Sequence, residues 1–157
     1  MFKNVIVYRI GAGWSVTPAQ LETNLDSARF VPCAPSQEKS MGWIEPRGEA
    51  HGPLVEAVAG QLILKLHVET RALPGSVVTK KLDERCAQIE ATTGRKPGKK
   101  ERRDLKDDIR LELLPMAFTK ESSSLVWLDL EAGLLLVNAG SQSRADEVIT
   151  LLVKGCE

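Results

Sequence analysis

The sequence predicts an α+β fold: an antiparallel β-rich centre with flanking helices and a protruding two-helix hairpin. Short Val-, Leu- and Ile-rich runs bounded by Gly and Pro occur towards both ends of the chain. Between them, apolar residues recur at helical spacing. The order of elements, β-α-β, β-β, helical hairpin, β-β-α, is that of an α+β protein. The 157 residues, 43% of them hydrophobic and 27% charged, suit one folded body with one projecting element. Residues 1–75 and 116–157 are assigned to the centre and 76–115 to the helical tip.

Taken in order, residues 2–10 (FKNVIVYRI) read as a strand. Gly11-Ala12-Gly13 ends it as a turn, since the longer glycine pattern of a phosphate loop is absent. Thr17-Pro18-Ala19-Gln20 opens a helix, with Thr17 as cap, Pro18 in the first turn and Gln20 completing a capping box. Leu21, Leu25 and Ala28 give that helix its apolar face. Residues 29–33 read as a short strand stopped by Pro32, and 41–44 as another ended by Pro46. Residues 54–59 and 61–70, with Gly60 between, read as a hairpin in which His67 is a solvent-facing strand residue.

Leu73-Pro74-Gly75-Ser76 breaks the β-pattern. Val78, Leu82, Cys86 and Ile89 then mark one helix, which ends at Thr92-Thr93-Gly94, and a second runs over 99–114 until Pro115. Each is about 16 residues, so the pair reaches roughly 25 Å. Residues 125–130 and 133–139 form a second hairpin, whose Asp129 and Glu131 read as solvated carboxylates beside a turn. A last helix begins at Ser143, with Ala145, Val148, Leu151 and Leu152 facing inward and Lys154-Gly155 closing it.

Charge gives the functional signal. The chain carries 21 Lys and Arg against 21 Asp and Glu, yet residues 95–106 (RKPGKKERRDLK) hold seven cations and two anions. At about 100° per residue, Lys99, Arg102, Arg103, Lys106 and Arg110 fall within roughly 100° of one helix face. Glu101, Asp104, Asp107, Asp108 and Glu112 lie on the far side, and Leu105, Ile109 and Leu113 form a stripe beside the cations. Like charges at such spacing cost an isolated helix a few tenths of a kcal/mol per pair. A charged run is ordinarily a solvated face, but a sequence seeking only solubility would interleave signs. Segregated cations in a neutral chain point to a polyanion.

Other classes find less support. Aromatic residues make up 4% of the chain, few for stacking single-stranded bases. The three cysteines, Cys33, Cys86 and Cys156, show no CxxC spacing, and with two distant histidines they imply neither a disulfide framework nor a zinc site. No signal peptide and no run of 18 apolar residues is visible, so a cytoplasmic protein without a membrane span is expected.

Several segments together resemble the RdgC family of bacterial recombination-associated proteins. They are Phe2-Lys3-Asn4 with Tyr8-Arg9, Phe30-x-Pro32-Cys33, Met41-Gly42-Trp43, Leu73-Pro74-x-x-Val77, Leu105-Lys106-Asp107, Leu113-Leu114-Pro115-x-Ala117-Phe118, Trp127-x-Asp129 and Ala145-x-Glu147. No single piece is specific, but their order and spacing along nearly the whole chain are. The resemblance implies a non-enzymatic, cofactor-free, nucleoid-associated protein that binds double-stranded DNA with little sequence preference and restrains the RecA recombinase. Family members resemble horseshoes that pair into a homodimeric ring with a positive hole, and they run to about twice this length. The positions matching the family's tip are Arg95, Lys96, Lys99, Arg102 and Lys106. Phe118 matches a position tied to the ring's gate, and Met116 stands where relatives often carry a basic residue.

The expected mechanism is neutralisation of phosphates with release of counterions, without base reading. Lys80, Lys81 and Arg85 on the first tip helix join Arg95, Lys96, Lys99, Arg102, Arg103, Lys106 and Arg110 as candidate DNA contacts. Leu105, Ile109, Leu113 and Phe118 are candidate oligomer contacts. A protein-docking or dimerisation arm is the first rival reading. A nuclease, which needs clustered carboxylates for metal ions, is the second.

Overall fold

The computed structural model describes residues 3–156, so Phe2 of the opening strand lies outside the described residues. In order come β1 (Val5–Arg9), α1 (Pro18–Asp26), β2 (Lys39–Ile44), β3 (Glu56–Val58), β4 (Gln61–Ala72), α2 (Gly75–Thr93) and α3 (Lys99–Leu113). A 3-10 turn over Leu114–Met116 leads to β5 (Phe118–Asp129), β6 (Leu134–Asn138) and α4 (Gln142–Cys156). The strands form one six-stranded sheet in the order β1-β6-β5-β4-β2, with β3 paired to β4. The expected α+β class is the one observed. The chain divides into two compact units, residues 1–31, 41–68 and 121–157, and residues 32–40 and 69–120.

In the first unit, alternation along each strand puts one set of side chains on a helix-covered face. Leu64 and Leu66 of β4, Val126 and Leu128 of β5 and Val137 of β6 bury there against Leu21 and Leu25 of α1 and Val148 and Leu152 of α4. Helix α1 begins as its sequence predicts. Gln20 N–H donates to Thr17 Oγ1 at 3.1 Å, and Thr17 N–H donates back to Gln20 Oε1 at 3.0 Å. The Glu22 carboxylate accepts N–H groups from Leu54 and Val55 at 2.8 and 2.7 Å, tying an irregular segment to α1. The β3–β4 turn has positive φ at Ala59 (51°) and Gly60 (80°), as a two-residue turn matched to strand twist requires.

Residues 29–33 are not the strand expected. Arg29 makes one isolated bridge to Trp43, flanked by Trp43 N–H to Ala28 O and Phe30 N–H to Trp43 O, each 3.0 Å. Pro32 then lacks the donor to continue the ladder. The bridge explains Met41-Gly42-Trp43: a Cβ on Gly42 would sit 2.3 Å from Phe30 Cα, so the two segments approach only over glycine. Strand β5 is also longer than expected. It starts at Phe118, through a polar run (TKESSS) that carries no apolar alternation of its own.

The second unit centres on α2 and α3. Val78, Leu82 and Ile109 are buried together, with Leu73, Cys86, Leu105 and Leu113 packed around them. Gly94 ends α2 in the left-handed region (φ 70°), its N–H bonded to Glu90 O at 2.8 Å. Residues 32–40 are held by Glu69 and Arg71. Cys33 N–H donates to Glu69 Oε1 at 3.1 Å, and Arg71 Nη2 donates to the Cys33 and Ala34 carbonyls at 3.3 Å. Burial pushes the Cys33 thiol pKa up, and the Glu69 carboxylate adds to that.

Candidate nucleic-acid interface

The two units carry opposite charge. Residues 32–40 and 69–120 hold fourteen Lys and Arg against ten Asp and Glu, a net of +4. The remaining residues hold seven against eleven, a net of −4. The neutrality of the whole chain therefore conceals a basic unit and an acidic one.

Within the basic unit, the α2–α3 seam decides where each cation can point. Ile109 is 1% exposed, and Leu105 and Leu113 flank it against α2. This corrects the expected oligomer role of Ile109, which α3 needs to hold α2; Leu105 and Leu113, half-buried, pack beside it. Phe118 is different. It is 88% exposed, and Met116 and Leu111 nearby in the chain are 71% and 60% exposed.

Arg102 lies within about 30° of the seam by helical rotation, so it reaches across to α2. Its Nη2 donates to Asp83 at 2.7 Å, and its Nη1 lies 3.5 Å from Cys86 Sγ. The Asp83 hydrogen bond pushes the guanidinium pKa still higher. On the other flank Arg85 pairs with Glu112. Arg110 meets Glu38 at 3.4 Å, Arg95 meets Glu101 at 3.4 Å, and Lys81 meets Glu84 at 3.9 Å. Five of the ten candidate cations are thus engaged within their own unit.

The other five, Lys80, Lys96, Lys99, Arg103 and Lys106, are exposed and have no side-chain partner among the described residues. Lys99, Arg103, Lys106 and Arg110 recur at i, i+4, i+7 and i+11, one ridge of α3 within roughly 60° of rotation and about 16 Å long. Lys96 precedes the ridge. Lys100, exposed and unpaired, was not among the candidates, although the same basic stretch contains it. The α2 cations do not join the ridge. Lys80 faces away from the seam, and Lys81 and Arg85 sit on the Glu112 flank, opposite the Asp83–Arg102 flank beside which the ridge runs. Separations of 19, 27 and 72 residues between Arg102 and Asp83, Arg85 and Glu112, and Arg110 and Glu38 kept these pairings out of reach of local pattern.

Chemically, the ridge offers hydrogen-bond donors and positive charge to an extended anion, and no base-reading amides. Among the described residues, no group of three His, Cys, Asp or Glu side chains is placed to hold a metal ion. No described helix is long and apolar enough to cross a membrane.

Comparison with known proteins places the chain. A family model described as "Putative exonuclease, RdgC" matches residues 1–157. The Recombination-associated protein RdgC of Herminiimonas arsenicoxydans is 42% identical over 156 residues, covering 99% of this chain and 51% of the relative. Proteins of the same name from Janthinobacterium sp. and Dechloromonas aromatica are 38% and 39% identical, over 99% and 94% of this chain and 51% and 48% of their own lengths. The chain thus spans about half the length of the curated relatives it matches. With a family match over its full length and relatives of this identity, the chain belongs to the RdgC family.

Proposed function

We propose that this chain is a non-enzymatic, sequence-nonspecific binder of double-stranded DNA that acts in recombination through the α3 ridge. One observation supports the reading: in a chain of zero net charge, Lys99, Arg103 and Lys106 share one helix face with no anion paired to them among the described residues. Phosphates are the partners such a ridge suits, and counterion release supplies the free energy without base contacts. Occupying duplex DNA would restrain RecA by steric exclusion and would hold the protein at the nucleoid. Pairing of two copies into a ring, in a chain of the relatives' length, falls in this reading to the exposed Phe118.

Duplex binding followed by fluorescence anisotropy across a salt series tests the proposal. Lys96, Lys99, Lys100, Arg103 and Lys106 can neutralise up to five phosphates, so log K should fall with log salt with a slope of up to about −4.5. The Lys99→Glu/Arg103→Glu/Lys106→Glu variant should lose binding, and Lys80→Glu should not. Duplex binding that survives the triple reversal would sink the proposal. The exonuclease of the family description is tested in the same samples by adding Mg²⁺ and looking for shortening of end-labelled duplex; shortening by this chain would overturn the non-enzymatic reading.

A further inference from the structure

At the end of the sheet where β1 begins and β6 stops, a polar pocket of about 500 Å³ opens beside the first turn of α4. Lys3, Ser122, Ser124, Asn138, Ser141 and Arg144 line it, and among the described residues no Asp or Glu does. The pocket lies wholly within the acidic unit, yet two of that unit's seven Lys and Arg meet in it. Ser122 and Ser124 belong to the polar run that opens β5, and alternation puts both on the helix-covered face. Donors outnumber acceptors here. Arg144 Nη2 donates to Ser122 Oγ at 3.5 Å, the outer limit of a hydrogen bond. Its Nη1 is buried without a hydrogen bond, 3.5 Å from a Glu147 oxygen. Ser124 is 7% exposed, and its hydroxyl has no partner among the described residues. The Lys3 and Asn138 side chains have none either. At the start of α4, Ser141 takes the Arg144 and Ala145 N–H groups, each at 3.2 Å, which leaves those of Gln142 and Ser143 directed out of the helix. Buried polar groups in folded proteins are ordinarily satisfied, so this set lacks an acceptor.

We propose that this pocket binds a single phosphate group, free or carried by a small molecule. A phosphate has acceptors on every oxygen, enough to engage Arg144 Nη1, the Ser124 hydroxyl and the N–H groups of α4 together, while Lys3 offsets its charge. Glu147 competes for the same Arg144 nitrogen, so a phosphate must displace it or share it. The volume falls in the range of small-molecule sites, about 300–1,000 Å³. Charge favours the same occupant over a nucleic-acid strand. The unit's net charge of −4 opposes a long row of phosphates, whereas for one phosphate the two cations within the pocket outweigh more distant, screened anions. The pocket shares no residue with the α3 ridge, so the inference does not depend on the DNA reading.

The test is isothermal titration calorimetry of the whole chain with inorganic phosphate in a chloride buffer, up to about 20 mM, which brackets a millimolar dissociation constant. One phosphate should bind per chain. Ribose 5-phosphate, titrated in parallel, separates the two sources: tighter binding than the free ion assigns the pocket to a phosphorylated molecule, weaker binding to phosphate itself. Arg144→Gln should weaken binding by about tenfold or more, as loss of a charge-assisted hydrogen bond does. Ser124→Ala should weaken it by about fivefold while the phosphate-free chain melts no lower, a split that a merely structural hydroxyl would not give. Glu147→Gln should tighten it. The Lys99→Glu/Arg103→Glu/Lys106→Glu variant should bind phosphate as the parent does, and a short duplex should not displace the phosphate from that variant. Absence of saturable binding, or binding unchanged in both Arg144→Gln and Ser124→Ala, would overturn the proposal. So would displacement by the duplex, which would make the pocket a second contact for nucleic acid.

Discussion

The two units are stabilised by different means. Among the described residues, the acidic unit buries seventeen, Trp43 the largest, from both helices, the sheet and its loops, in one apolar cluster. The basic unit's cluster has three, Val78, Leu82 and Ile109, and its helices are joined at the margins by the Arg102–Asp83 and Arg85–Glu112 pairs. Those pairs are largely solvent-exposed and contribute little, of the order of 1 kcal/mol or less each. The unit with the smaller core therefore carries the charge, and a helix that keeps cations free for a ligand gives up much of its surface for packing.

Substitutions can break this contrast. Trp43→Ala should be the most damaging, costing about 3–5 kcal/mol, because it removes the largest fully buried side chain of the larger core. Denaturant unfolding should show the loss, and hydrogen exchange should show it across β4, β5 and β6. Ile109→Ala should cost about 2–4 kcal/mol, with faster exchange confined to α2 and α3. Equal loss of protection in the sheet would mean that the two units unfold as one. Asp83→Asn should shift stability by less than about 1 kcal/mol. By releasing Arg102 from its partner, it should also steepen the salt dependence of duplex binding by about 0.9. An unchanged slope would show that Arg102 points away from the phosphates even when freed.

Much of the fold was legible because its signals are local. The Thr17–Gln20 capping box, the Gly60 turn, the Gly94 helix end and the 3.6-residue spacing of Val78, Leu82 and Cys86 each lie within one or two turns of chain. The misread segments depend on distant partners. The polar start of β5 is a strand through its neighbours in the sheet, and residues 29–33 are held by one bridge to β2 rather than by a ladder. The site divides the same way. The α3 ridge follows from helical rotation alone, whereas burial of Ile109 and the pairing of Arg85, Arg102 and Arg110 depend on what α2 and residue 38 bring near.

The opposite net charges of the two units have a kinetic consequence. A neutral molecule feels no net pull towards DNA, but at close range a polyanion acts on each unit's own charge, and the basic unit by itself carries +4. That local attraction would favour arrivals in which the ridge meets the phosphates first, reducing unproductive collisions. It acts within about a Debye length, roughly 10 Å at 0.1 M salt, so orientation would be set only in the last approach. Raising the salt would then slow association by randomising how the molecule arrives, as well as by weakening each contact once made.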